Sequence, residues 1–336
     1  MQGVGGSRLE SGDTMKPSPY VLLIGLAAGL TGFAQGHAQY PIRPLRVIVP
    51  TSTGGSSDTA ARLISPPLSE RLGQQVVVEN RAGAASMIGT EAVARSAPDG
   101  YTLLMSVPAL ATNPAIYKKL PYDALRDFAP VTLAISQPHL LVVHPSLPAN
   151  SVRELITLAK ARPGDIVFAS AGNGSNLHLA MELFLVMTGT KMVHVPYKGP
   201  APGIIDLVAG RVSVMMPGIL PGGPHVRTGR LRALGVTGRT RAATMPDLPT
   251  VAEAGVPGYE STVWNGLLAP ANTPKEVIAR LHKEVTAVLL IPVVKERLAS
   301  EGAEIVASSP EEFSSHIRAE LSKWASVVKS AGIHPE

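Results

Sequence analysis

LRVIVPTSTGGSSDTAARLI, residues 45–64, decides how this chain folds. A strand-like apolar run enters a loop of small and hydroxylated residues, and a helical pattern begins at once beyond it. The same plan recurs about 120 residues later in DIVFASAGNGSNLHLAMELF, residues 165–184. A strand that delivers the chain to the start of a helix is the building unit of an α/β fold. A helix start leaves backbone N–H groups unpaired and carries partial positive charge from its aligned peptide dipoles. Small residues let an anion come close to those donors. Each loop therefore reads as a cradle for a carboxylate or phosphate. The first is built from Thr51, Ser52, Thr53, Gly54, Gly55 and Ser56, the second from Ser170, Ala171, Gly172, Asn173, Gly174 and Ser175. Taken singly, either reads first as an ordinary strand-to-helix connection. Two of them in two halves of one chain suggest a cleft that grips an acidic small molecule.

Composition narrows the class. The chain has 336 residues, 45% hydrophobic and 16% charged, which bounds it as globular and long enough for about two domains. Aromatic residues make up 4%, too few for base-stacking nucleic-acid surfaces or an aromatic-lined sugar groove. The net charge of +5 is spread without a run of Lys or Arg, so it reads as mild steering of anions, with no nucleic-acid partner. There is no cysteine, which excludes disulfides, a lipid-anchored N-terminal thiol, a cysteine nucleophile and thiolate metal ligands.

The N-terminus reads as a signal peptide over residues 1–38, with residues 1–14 as an upstream extension and Met15 as the natural start. Lys16 precedes an apolar run from Tyr20 to Phe33 that ends in AQGHAQ. That is a charged region, a short hydrophobic region and a small-residue cleavage site after Ala38, with cleavage after Gly36 second. No other stretch is apolar and long enough to span a membrane. The mature protein is expected to be soluble, exported and periplasmic.

Beyond the leader, apolar runs such as QVVVEN, YTLLMS, HLLVVH, MVHVPY and RALGVT alternate with amphipathic segments, which predicts an α/β fold with a largely parallel sheet in each half. Ser151 with Glu154, Thr273 with Glu276, and Ser309 with Glu312 predict capping boxes. Val277, Leu281 and Val285 predict a buried helix stripe. Pro292 is expected to kink or split its helix, and Pro66-Pro67 to do the same to the helix after the first loop.

Catalytic machinery is not evident. There is no G-x-S-x-G elbow, phosphate-binding P-loop or H-E-x-x-H motif, and the histidines show no metal-ligand spacing, so no cofactor or metal is expected. Asp58 would repel an anion if it faced the site, so it reads as a brace for the first loop. Ser175 reads as an N-cap. His178, three residues on, either braces the helix start or touches ligand, bracing being the preferred reading, and Glu182 could hold it on the helix face.

The chain resembles the Bug family of periplasmic solute-binding proteins, the receptors of tripartite tricarboxylate transporters. The resemblance rests on YPIRPLRVIVP with GGSSD, ENRAGA with IGTEAVA, APDGYTLL, AGNGSNLHLAMELF, HVPYKGPAP, MPDLPTVAEAG and LLAPANTPKEV, in that order over about residues 40–335. It implies a two-domain clamshell of the periplasmic-binding-protein type with a hinge crossed twice. Domain one would comprise residues 40–139 and 262–336, and domain two residues 140–261. It also implies that the two Gly/Ser loops hold a ligand carboxylate, and that a third cleft loop contributes Ala85, Ser86 and Met87. Family members carry an aromatic residue and a proline where this chain has Thr51 and Thr53, Gly-Gly where it has Ala85-Ser86, and an acidic residue where it has Ser213. The reading is a monomeric, non-enzymatic receptor for a small carboxylate, by default a dicarboxylate, serving membrane transporter subunits. The alternatives are a periplasmic hydrolase using a loop serine, and a sensor subunit signalling through a membrane kinase.

Overall fold

A computed structural model of the chain describes residues 40–333, so the expected leader lies outside the described residues. The chain first forms β1 (Leu45–Val49), α1 (Ser56–Leu72), β2 (Val76–Asn80), α2 (Met87–Ala94), β3 (Thr102–Ser106), α3 (Ala109–Ile116) and β4 (Phe128–Pro138). It continues through β5 (Leu140–Val143), α4 (Val152–Ala161), β6 (Val167–Ser170), α5 (Asn176–Thr188), β7 (Val193–Pro196), α6 (Pro200–Val208), β8 (Val214–Met215), α7 (Ile219–Arg227) and β9 (Arg232–Val236). It ends with β10 (Thr262–Pro270), α8 (Lys275–Leu289), α9 (Pro292–Ser300), β11 (Glu304–Ile305) and α10 (Pro310–Ser330).

These strands form two sheets, ordered β11-β4-β10-β3-β1-β2 and β7-β6-β8-β5-β9. The architecture is a mixed α/β fold with two of five strand pairings parallel in the first sheet and two of four in the second, which corrects the expectation of largely parallel sheets. β1 pairs parallel with β2 and β3, whereas β10 runs antiparallel to both β3 and β4. In the second sheet β6 is parallel to β7 and β8, and β5 is antiparallel to β8 and β9. β5 and β10, the strands that follow each crossing between the sheets, run antiparallel to their neighbours, and no local sequence pattern reports that reversal.

The chain passes between the sheets twice, at Pro138–Leu140 and over residues 237–261. The passages are tied together. The His139 N–H donates to Thr237 Oγ1 at 2.7 Å, the Thr237 N–H to the His139 carbonyl at 3.0 Å, and the Ser261 N–H to the Thr237 carbonyl at 2.9 Å.

Helices cover the sheets as their apolar stripes require. Val277, Leu281 and Val285 of α8 are buried, and the helix packs on β4 and α1. α10 buries Phe313, Ile317 and Trp324, contacts both α3 and α5, and sets the Phe313 ring edge-on to Trp264 of β10. Ser309 and Glu312 form a complete capping box. Ser151 caps α4, with Glu154 reaching back to the Asn150 N–H. The third expected cap is corrected: Thr273 donates its hydroxyl to the Pro270 carbonyl at 2.7 Å, and α8 begins after Pro274 with no side-chain cap. Pro292 does separate α8 from α9. Pro66 and Pro67 do not split α1, which runs unbroken through them. The buried face formed by Ala60, Ala61, Ile64 and Leu68 continues past both prolines, and that packing outweighs the lost hydrogen bonds.

Candidate functional site

The first loop is held by a hydrogen-bond network centred on Asp58. Asp58, 4% exposed, accepts the Gly54 N–H at 2.9 Å, Arg62 Nε at 3.0 Å and Asn80 Nδ2 at 3.0 Å. Asn80 also donates to the Thr51 carbonyl, and Thr51 Oγ1 lies 2.7 Å from Ser57 Oγ. Burial alone would raise the Asp58 carboxyl, but the hydrogen bonds from Gly54, Arg62 and Asn80 outweigh it and hold the group below the ordinary carboxylate value. Asp58 thus faces the loop backbone and its partners. Gly54 takes φ +82°, a left-handed conformation that suits glycine, and α1 starts at Gly55 with no side-chain cap. Ser52, Thr53, Gly54 and Gly55 are exposed.

The second loop is braced from within. Ser175 Oγ accepts the His178 N–H at 3.3 Å and donates to the Gly172 carbonyl at 2.7 Å. The Gly174 N–H donates to His178 Nδ1 at 3.1 Å, while His178 Nε2 faces Glu182 at 3.4 Å. Ser170, fully buried, accepts the Gly172 N–H at 3.0 Å and lies 2.6 Å from His194 Nε2. His194 stacks between Phe168 and His178. Burial, helped by repulsion from His178, pushes His194 down to about 4, so the imidazole behind this loop is neutral near pH 7. A serine–histidine pair exists here, but its hydroxyl is inaccessible and holds the loop, so it cannot act as a nucleophile on a solute.

The third loop is strained. Gly83, Ala84, Ala85 and Ser86 all have positive φ, at 129°, 45°, 49° and 71°. Three of the four carry a Cβ, so this conformation must be held from outside. Buried Asn113 donates to the Ala85 carbonyl at 2.9 Å, and Thr90 Oγ1 to the Ser86 carbonyl at 2.8 Å. Met87 opens α2 and its N–H donates to the Ala84 carbonyl at 2.9 Å.

These loops border two cavities. One, of about 390 Å³, is lined by Gly54 and Ser56 at the start of α1, by Asn176 and Leu177 at the start of α5, by Pro200 opening α6, and by Gly218 and Ile219 opening α7. Four helix N-termini therefore meet one space, and no Lys or Arg is among the residues lining it. Its floor includes Gln137, Pro138 and His139 from the first inter-sheet passage. The other, of about 260 Å³, is bordered by Ala85 and Asn113 on one side and Asn173, Gly174 and Ser175 on the other.

Sequence reasoning missed four contributors: His139, the starts of α6 and α7, and Asn113. His139 is 2% exposed, neither ring nitrogen has a hydrogen-bond partner, and burial pushes it down to about 4. Within HLLVVH it looks like any core residue; its role comes from lying where the chain crosses. The starts of α6 and α7 carried a legible signal, Gly followed by Pro within the first turn, in KGPAP and PGILPGG. Asn113 carried none. Among the described residues there is no cluster of side chains that could hold a metal ion, and no helix long and apolar enough to cross a membrane.

Comparison with known proteins places this geometry. A family model described as tripartite tricarboxylate transporter family receptor matches residues 60–333. The protein BugT of Bordetella pertussis is 38% identical over 325 residues, 95% of this chain and 99% of its own length. An R. palustris protein solved with adipate superposes with a TM-score of 0.74 at 39% identity, covering 88% of this chain and 100% of that one. MatC from Rhodopseudomonas palustris, solved with malate, gives 0.70 at 32% identity over 86% of this chain and 100% of its own. The matched family is described as a receptor family, and a further solved neighbour as the periplasmic binding protein BugD.

Proposed function

This chain belongs to the tripartite tricarboxylate transporter receptor family, and on that premise we propose that it captures a small carboxylated solute and presents it to membrane transporter subunits in the periplasm. The observation that carries the reading is the meeting of four helix starts on one cavity with no cationic side chain. Peptide dipoles and free N–H groups favour a carboxylate there, and binding to them releases no buried salt bridge. The adipate and malate bound by two relatives support an organic acid as the class of solute.

The receptor works as a monomer of two domains, residues 40–139 with 262–336 and residues 140–261. They close about the paired passages at His139, Thr237 and Ser261, bringing the loops at 51–56, 85–87 and 170–175 onto the ligand. The leader is removed after Ala38 on export. Thermal unfolding with organic acids and their matched amides tests the central claim: acids raise Tm and amides do not, because ligand held only by the folded state stabilises it by mass action. Equal shifts from acid and amide would overturn charge-selective binding. Intact-mass analysis of the exported protein tests the cleavage site.

A further inference from the structure

We propose that the preferred ligand of the 390 Å³ cavity carries one carboxylate on a largely apolar body, in place of the two carboxylates of an aliphatic diacid. The proposal deepens the carboxylate-receptor reading above and rests on it.

The helix starts around the cavity are unequal donors. α1 begins with no side-chain cap, and its first turn, Ser56-Ser57-Asp58, has an N–H at every position. α6 begins Pro200-Ala201-Pro202, and α7 has Pro221 in its first turn, so three N–H groups are missing from those two ends. α5 is already capped by Ser175. The start of α1 can solvate a carboxylate fully, and the starts of α6 and α7 cannot.

The one carboxylate lining the cavity stands beside the donor-poor start of α7. Glu301 and Gly302 line the cavity beside Ile219 and Leu220, and a Cβ on Gly302 would lie 3.4 Å from the Ile219 Cβ. A second carboxylate reaching the start of α7 would meet few N–H groups and the Glu301 carboxylate, whose ion-pair partner Arg297 lies 3.5 Å away and is itself mostly exposed, so that the pair is screened and leaves part of the repulsion in place. The rest of the wall is largely apolar, with Ile135 and Val263 from β4 and β10, Leu177 and Leu298; of its amides, Gln137 already donates to the Glu301 carbonyl at 3.3 Å, and Asn176 stands at the start of α5. His139, buried there without a partner, offers a hydrogen bond. Burial keeps it neutral near pH 7, so it supplies no charge for a second anion. An alkyl or aromatic monocarboxylate matches this polarity and a diacid does not.

Titration calorimetry on the mature chain with two matched pairs, hexanoate against adipate and benzoate against terephthalate, tests the assignment. We expect the monoacid of at least one pair to bind about tenfold or more tighter than its diacid, the difference expected when one charge is left without partners. Diacids binding as tightly as monoacids, or tighter, would overturn the proposal while leaving the carboxylate-receptor reading intact. If none of the four acids binds and none raises Tm, that reading fails as well. Glu301→Gln, a change at a partly exposed position, should narrow the hexanoate-to-adipate preference about threefold or more through tighter adipate binding. A ratio that does not move in this variant would also overturn the proposal.

Discussion

His178 and His194 stack face to face, with ring centroids 3.9 Å apart and planes within 11° of parallel. One imidazole holds the Gly174 N–H and the other reaches Ser170, so two stacked rings fix both ends of the second loop. Phe168 covers the far face of His194 at 4.8 Å. Protonation of His194 would place positive charge between Phe168 and His178, and stability should therefore depend on pH.

In the folded protein His194 and His139 are both pushed down to about 4, whereas unfolded histidine titrates near 6.5. Between those values the unfolded chain binds more protons, so unfolding free energy rises with pH across the window. The stabilisation is fully present above pH 6.5 and is lost as pH falls toward 4. Urea midpoints at pH 7, 6 and 5 should decrease in that order, and His139→Leu should flatten the trend. Midpoints independent of pH over this range would show that neither ring is kept neutral by folding.

Asp58→Ala should leave the Gly54 N–H, Arg62 and Asn80 without their shared acceptor. Charge-assisted hydrogen bonds of this kind contribute about 1.5–3 kcal/mol, so a loss of about 2 kcal/mol in chemical denaturation is expected. Carboxylate binding should weaken too, because the first loop loses its shape. Unchanged binding in the folded variant would mean that this loop does not contact the solute.

Ala85 sits at φ +49°, a conformation that costs a Cβ-bearing residue about 1–2 kcal/mol. Ala85→Gly relieves that strain but adds unfolded-state entropy, leaving a net gain of about 0.5 kcal/mol. Ala85→Val should lose about 1–2 kcal/mol, since branching at Cβ makes positive φ worse. Opposite signs for the two variants in urea unfolding are the expected outcome, and a destabilised glycine variant would count against a strained loop.

Ser175 spends its hydroxyl proton on the Gly172 carbonyl while capping α5. Ser175→Ala should therefore cost about 1 kcal/mol of stability as a lost N-cap. Any effect on affinity should be accompanied by that loss. An affinity defect at unchanged stability would instead assign the hydroxyl to the ligand.

Much of this was legible because it is local. The run into TSTGGSSD marks strand, loop and helix by apolar content, small residues and periodicity, and Ser309 with Glu312 marks a helix start by spacing alone. What escaped depends on distant partners. His194 meets His178 because β7 pairs in register with β6, placing His194 beside Phe168, and α5 then packs over both. Thr273 has the sequence of a cap, but the Pro270 carbonyl competes for its hydroxyl and Pro274 moves the helix start. The two-residue β11 is too short to show any periodicity, and it exists because β4 offers it an edge.

The order of strands in the first sheet also dictates an order of assembly. β10 lies between β3 and β4, so before Thr262–Pro270 has been synthesised the strands of that sheet are two unconnected groups, β3-β1-β2 on one side and β4 alone on the other. The second sheet has no such delay, because all its strands come from the uninterrupted stretch Leu140–Val236. A chain emerging N-terminus first on the far side of the membrane would thus present its middle ready to fold while its beginning still waited for its end. Loop-closure entropy makes that wait a feature of topology that point substitutions in the first hundred residues cannot shorten.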